Sequence, residues 1–215
     1  LFYVQHLLGI GHLARASRIA SALDEAGFEL TLVTGGNTVA GFPLPGIKNV
    51  ALPPVVASEG FSGLAQPDGR PADEPYLSRR RDFLLSTFEH LHPDIVLIEA
   101  FPFGRRQMRF ELLPLLGAIG QRADRPMLVT SVRDIMQERV KPGRNEETVD
   151  LIKKHFDLAL VHGDPNFVNL NDTFPLAASI ADRLVYTGLV AAPKPVISAD
   201  RFDILVSAGG GAAGR

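Results

Sequence analysis

Short apolar runs alternate with stretches in which apolar residues recur every three or four positions. Residues 1–4 are apolar throughout and predict a strand, followed by the turn Gly9-Ile10-Gly11-His12. From 13 to 26, Leu13, Ala16, Ile19, Ala20, Leu23 and Ala26 keep helical spacing, with Arg15, Arg18, Asp24 and Glu25 between them. Gly27 is a natural stop, and residues 28–33 predict a second strand closed by Gly35-Gly36. Strand, glycine loop, helix and strand in about 30 residues make a βαβ unit.

The alternation continues. Strands are predicted over 49–52, 94–98, 127–132, 158–161 and 183–186, and helices over 76–91, 107–123 and 146–156, with Pro114 interrupting the second of these. Residues 53–75, rich in Pro, Gly, Ser and acidic side chains without a period, read as a long mobile loop. Near-continuous apolar strands between helices predict an α/β fold, a Rossmann-like parallel sheet with helices on both faces.

Residues 188–200 carry Ala191, Ala192, Pro193 and Pro195 and read as an extended linker. Beyond it, residues 202–207 have the pattern of a new strand, and Gly209-Gly210-Gly211-Ala212-Ala213-Gly214 that of a second glycine loop. The expected division is a Rossmann-like domain over 1–188, a linker over 189–201, and the first strand and loop of an incomplete second domain over 202–215. Such a strand and loop bury no core of their own and should pack poorly. The 215 residues, about 1.4 domains at ~150 residues each, suit that division.

Composition narrows the chemistry. A 46% hydrophobic, 21% charged chain can bury a core, and a net charge of −2 argues against a general nucleic-acid binder. Zero cysteines exclude disulfides, Cys-ligated zinc, iron–sulfur clusters and thiol nucleophiles. No apolar run approaches the ~20 residues of a membrane-spanning helix.

Gly9-Ile10-Gly11-His12-Leu13-Ala14 formally satisfies the dinucleotide pattern G-x-G-x-x-G/A, in which glycines admit close backbone approach and a helix N-terminus favours an anion. Two features count against NAD. The second strand ends in Thr34-Gly35-Gly36, without an acidic residue for a ribose hydroxyl, and His12 stands where a pyrophosphate needs clearance. His12 reads better as a side chain presented at the carboxyl end of the first strand, with a pKa suited to a general base. The structural alternative is a helix cap.

Glu99 directly follows the strand 94–98 and so belongs to the same crevice; alternatively it pairs with an arginine and stiffens its loop. Arg105 and Arg106 open the next helix and suit a carboxylate or phosphate. Arg133 and Asp134 form a further strand-end cluster, able to touch a ligand or to pair with other loops. His6 reads as a loop or core residue and Asp164 as a turn former. Arg79-Arg80-Arg81 reads as a solvated helix face, and Arg109 and Glu111 as a solvated face or internal pairs. The second glycine loop could cradle a phosphate but lacks the Gly-Lys-Ser/Thr ending of a P-loop.

Two α/β units that each open with a strand and glycine loop resemble the GT-B glycosyltransferases. Gly9-Ile10-Gly11-His12-Leu13-Ala14-Arg15, with Ile204-Leu205-Val206-Ser207-Ala208-Gly209-Gly210-Gly211 downstream, is similar to family 28, which includes the transferase that adds N-acetylglucosamine to a lipid-linked peptidoglycan precursor. The stretch Glu99-Ala100-Phe101-Pro102-Phe103-Gly104-Arg105-Arg106 resembles a bacterial branch of "predicted glycosyltransferases". The resemblance implies transfer of a sugar, an N-acetylhexosamine, from a nucleotide sugar, a UDP-sugar, to an acceptor hydroxyl with inversion, without metal or cofactor. It places His12, with Glu99 as the other candidate base, at the reacting centre. Gly9, Gly11, Arg15, Arg105, Arg106, Arg133 and Asp134 fall to the acceptor side, and Gly209, Gly210, Gly211 and Gly214 to the donor phosphates. The implied acceptor is a glycan, a lipid-linked sugar or a small molecule, not nucleic acid. The implied location is cytoplasmic, with peripheral membrane contact if the acceptor is a lipid. The first loop is shorter than the Gly-Gly-Thr-Gly-Gly-His form of the peptidoglycan enzyme, so that acceptor does not carry over. The alternatives are a nucleotide-sugar hydrolase with a similar Gly-x-Gly-His-x-x-Arg loop, a 2-epimerase, and a non-catalytic binding subunit of a split transferase.

Overall fold

A computed structural model describes residues 1–7, 9–58, 63–136, 142–192, 194, 200–204 and 206. In chain order its strands are β1 (Phe2–Val4), β2 (Thr31–Thr34), β3 (Lys48–Ala51), β4 (Val56–Ala57), β5 (Leu64–Ala65), β6 (Ile95–Glu99), β7 (Met127–Arg133), β8 (Leu158–His162) and β9 (Leu184–Tyr186). The helices are α1 (Gly11–Glu25), α2 (Glu74–Leu91), α3 (Arg109–Gln121) and α4 (Arg144–His155). Seven strands, each overlapping one of the predicted strands, pair in parallel in the order β3-β2-β1-β6-β7-β8-β9, a Rossmann-like α/β arrangement.

Parallel strands require crossovers, and the crossover helices cover both faces. On one face α1 buries Leu13, Ala16 and Ala20, spaced three and four apart, against Phe2, Val4, Leu32, Leu97 and Val129. On the other, Leu84 and Phe88 of α2, Leu112, Leu115 and Ile119 of α3, and Val149 and Ile152 of α4 cover Tyr3, Val33, Val96, Ile98, Leu128 and Val132. Strand alternation assigns the faces: Val96 and Ile98 point to the larger cluster, Leu97 to α1.

Five expectations need correction. The segment 53–75 is not a structureless loop: β4 and β5 pair antiparallel within it, and Val55 and Ala65 are buried. Helix α2 starts two residues earlier than the spacing predicts, because the Asp73 carboxylate caps it at the Tyr76 N–H (3.0 Å). Pro114 lies inside α3 without ending it; the lost backbone hydrogen bond is outweighed by burial of Leu112, Leu115, Leu116 and Ile119. Arg80 is fully buried and not on a solvated face. Within 202–206, residues 202–204 and 206 form no strand, and Phe202, Ile204 and Val206 are exposed. No helix among the described residues is long and apolar enough to cross a membrane.

Arg80 is held because a buried guanidinium must be paired and fully hydrogen-bonded. Its Nε and Nη2 donate to the Glu111 carboxylate at 2.7 and 2.9 Å, and Nη2 also donates to Gln5 Oε1 at 2.8 Å. Nη1 donates to the carbonyls of Gly35 (2.7 Å) and Pro53 (2.5 Å). The Tyr3 hydroxyl completes the set by donating to Glu111 at 2.5 Å. Burial opposes the Arg80 charge, but Glu111 and Tyr3 more than offset it and raise its pKa. A Cβ at Gly35 would overlap the Gln5 amide and the Arg80 guanidinium, which is why glycine ends this strand. Glu111→Ala leaves the guanidinium unpaired and should cost ~3–5 kcal/mol in urea unfolding. A loss below about 1 kcal/mol, the surface-pair range, would show that the pair does not hold these elements.

Candidate functional site

Period-two alternation carries Leu97 and Glu99 of β6, Val129 and Ser131 of β7, and Leu160 and His162 of β8 to the α1 face. The polar member of each pair is the later one, so Glu99, Ser131 and His162 form a row at the carboxyl ends of adjacent strands. Helix α1 begins directly above this row, just past β1, and supplies His12 and Arg15. The sheet order reverses between β1 and β6, and open α/β sheets bind ligands at such a switch point.

Glu99 is the hub. Its Oε1 accepts from His12 Nδ1 at 2.9 Å and pairs with Arg15, while Oε2 accepts from the Ser131 hydroxyl at 2.6 Å. Burial works against its charge, but the His12 hydrogen bond, Arg15 and Ser131 together hold the carboxyl below its usual range. An ionised Glu99 can only accept, so His12 carries its proton on Nδ1, leaving Nε2 with the lone pair. Burial lowers the His12 pKa despite Glu99, which keeps the ring neutral near pH 7. His12 lines the cavity described below, and its Nε2 has no hydrogen-bond partner among the described residues.

The row extends further than the sequence reading. Ser131 donates to Glu99, so it must accept from His162 Nε2–H (2.8 Å), and His162 Nδ1 then accepts from the Thr187 hydroxyl (2.7 Å). Burial lowers the His162 pKa to about 4, against the raising effect of Glu99. Sequence reasoning missed Ser131, His162 and Thr187 as a set. Their shared strand parity and strand-end position were the available signal.

The cavity, about 850 Å³, is lined by Gly9, Gly11, His12, Arg15, Arg105, Arg106 and Arg133, together with Arg109 and Arg144. A Cβ at Gly9 or Gly11 would meet nothing, so these glycines leave the space open. The helix cap is Ile10 without a side-chain hydrogen bond, so His12 does not serve as the cap. Ala100 and Arg105 both adopt left-handed backbone (φ 66° and 56°), conformations that non-glycine residues hold at a cost of order 1–3 kcal/mol. Both line this cavity.

Asp134 packs on Gly163, accepts from the Ile135 N–H and is absent from the lining. His6 is buried beside Gly36, as a core residue. Arg109 and Glu111 both form internal pairs, with Glu147 and Arg80. Gly209, Gly210, Gly211 and Gly214 lie outside the described residues. Among the described residues no group of three or more His, Asp or Glu side chains is arranged to hold a metal ion.

Fold and site thus define a Rossmann-like α/β protein with a polar row and an arginine-lined cavity at the switch point of its sheet. Compared with known proteins, the chain matches no protein-family model and no curated sequence.

Because His162 is neutral in the fold but takes a proton near 6.5 when unfolded, the unfolded chain binds more protons between about pH 6.5 and 4. Stability should therefore fall as pH drops through that window, with His6 and His12, both lowered chiefly by burial, acting in the same sense. Melting temperatures against pH should show a shallower decline in His162→Gln. An unchanged slope would mean that His162 is not held neutral.

Proposed function

We propose that this chain is the acceptor-side part of a glycosyltransferase that uses a nucleotide sugar, an inverting enzyme with His12 as its base. The observation that supports the reading most is the His12–Glu99 pair. Glu99 fixes the Nδ1–H tautomer and leaves a neutral Nε2 lone pair on a residue that lines a ligand-sized cavity. The family resemblance of the Gly9–Arg15 loop and the Glu99–Arg106 stretch supplies the reaction class.

In this reading an acceptor hydroxyl gives its proton to His12 Nε2 as its oxygen bonds to the anomeric carbon. The bond from that carbon to the leaving diphosphate breaks on the opposite side, so the configuration inverts. The imidazolium that forms lies against the Glu99 carboxylate, which stabilises it without taking the proton. Arg15 and Ser131 keep Glu99 ionised and oriented, and His162 and Thr187 fix Ser131 in turn. Glu99 is thereby a positioning residue, and the base role falls to His12. The UDP and N-acetylhexosamine assignments belong to the same proposal and rest on the resemblance.

The test is sugar transfer by the complete gene product across a panel of nucleotide sugars. His12→Ala should lower kcat by about 10²–10⁴-fold with little change in donor affinity. Glu99→Gln should lower kcat while shifting the acidic limb of the pH profile. Full activity of His12→Ala would overturn the assignment. Release of free sugar without any acceptor would hand the same base to water and make the protein a nucleotide-sugar hydrolase.

A further inference from the structure

Charge around the cavity is strongly one-sided. Among the described residues its lining includes Arg15, Arg105, Arg106, Arg109, Arg133 and Arg144 and no acidic side chain. Two carboxylates stand behind this wall. Glu99 is taken up by Arg15 and His12, and Glu147 is shared between Arg106 and Arg109. Arg105 and Arg133 form no ion pair among the described residues. Setting Arg144 aside, five arginines thus face two carboxylates among the described residues, a surplus there of three positive charges.

Arg105 shows that this is a built arrangement. Its backbone is left-handed, and its Nε donates to the Gln5 carbonyl at 2.9 Å, which fixes the plane of the guanidinium. The two terminal nitrogens have no hydrogen-bond partner among the described residues, yet the residue is only partly exposed. Burial lowers its pKa, with Glu99 opposing, as befits a cation short of counter-charge. A partly desolvated guanidinium with two free donors costs free energy until an anion meets it. Arg133, more exposed, follows the last buried residues of β7 on the same cavity.

We infer that this arginine wall is a phosphoryl-binding site, with Arg105 and Arg133 as its principal ligands and a diphosphate as the group it reads. Planar guanidinium forks match phosphate oxygens two at a time, and a surplus of three charges matches a diphosphate better than a single carboxylate. Arg106 and Arg109, tethered by Glu147, set the far edge of the site. Which molecule carries the diphosphate, donor or acceptor, rests on the transferase reading; the anion site stands on the geometry.

Titration calorimetry of the complete chain with inorganic pyrophosphate tests it. The protein should bind pyrophosphate, and Arg133→Ala and Arg105→Gln should each weaken binding by about tenfold, the scale of a lost charge-assisted pair. Arg81→Ala, which breaks an exposed pair with Asp82, should leave binding unchanged. Because Arg133 is exposed, its variant tests the site even if Arg105→Gln folds poorly. Absence of pyrophosphate binding at ~10 mM, an affinity below any specific site, or binding indifferent to both substitutions, overturns the inference.

Uridine diphosphate and a short alkyl diphosphate distinguish the bearer. Tighter binding of the nucleotide assigns the site to the donor, and tighter binding of the alkyl compound to the acceptor. Equal binding shows that the diphosphate alone is read. Pyrophosphate binding without sugar transfer would sink the transferase reading and leave the site standing. Transfer that survives both arginine substitutions with unchanged KM would sink the site alone.

Discussion

A guanidinium buried where water cannot reach it, that of Arg80, sets the frame for everything at this end of the sheet. An unpaired cation there would cost several kcal/mol, so its five N–H donors impose a place on each acceptor around them. Those acceptors come from the residue after β1 through Gln5, from the turn after β2 through Gly35, from the segment after β3 through Pro53, and from α3 through Glu111. One side chain on α2 thereby ties three strand ends and a helix together. The same Gln5 whose amide oxygen meets Arg80 offers its backbone carbonyl to Arg105, so the buried cluster is in direct contact with the cavity wall.

The opposite face of the sheet uses the same residue types to another end. There Glu99 is surrounded by donors, but one of them, His12, borders open space. Since an ionised carboxylate cannot donate, the protons of His12 Nδ1 and of the Ser131 hydroxyl point to Glu99, and Ser131 accepts from His162 in turn. The hydrogen bonds of the row thus run from Thr187 and His162 through Ser131 toward Glu99, and from His12 toward the same carboxylate. Thr187 lies beside Gly188, which adopts φ 77°, so the row ends at the point where the described sheet gives way to the segment read as a linker.

Much of this was legible in local pattern. The seven strands predicted over 1–188 became seven paired strands; the central ones are apolar because a strand buried on both faces has few alternatives, while the edge strand β3 is mostly exposed. His12 and Glu99 were legible because residues just past a parallel strand meet at the switch point. Arg80 was not: in sequence it is the middle of three arginines on a helix, and nothing local separates it from its exposed neighbour Arg79. Only the arrival of Glu111, 31 residues later, and two loop carbonyls makes burial of that charge tolerable. Pro114 was misjudged for a similar reason, since its effect is local and the burial that offsets it is not.

Sequence alone, then, determined the seven strands of the main sheet, the four helices, their order, the α/β class and the helix start that carries His12, because periodicity and strand-end position are local properties of the chain. Tertiary structure decided which polar side chains face each other: Arg80 with Glu111, and Glu99 with His12, Arg15 and Ser131. It also decided that Asp134 turns to Gly163 while Arg105 and Arg133 line the cavity. Charge pairing acts across residues 30 to 100 positions apart and depends on burial, which a linear pattern of residues does not encode.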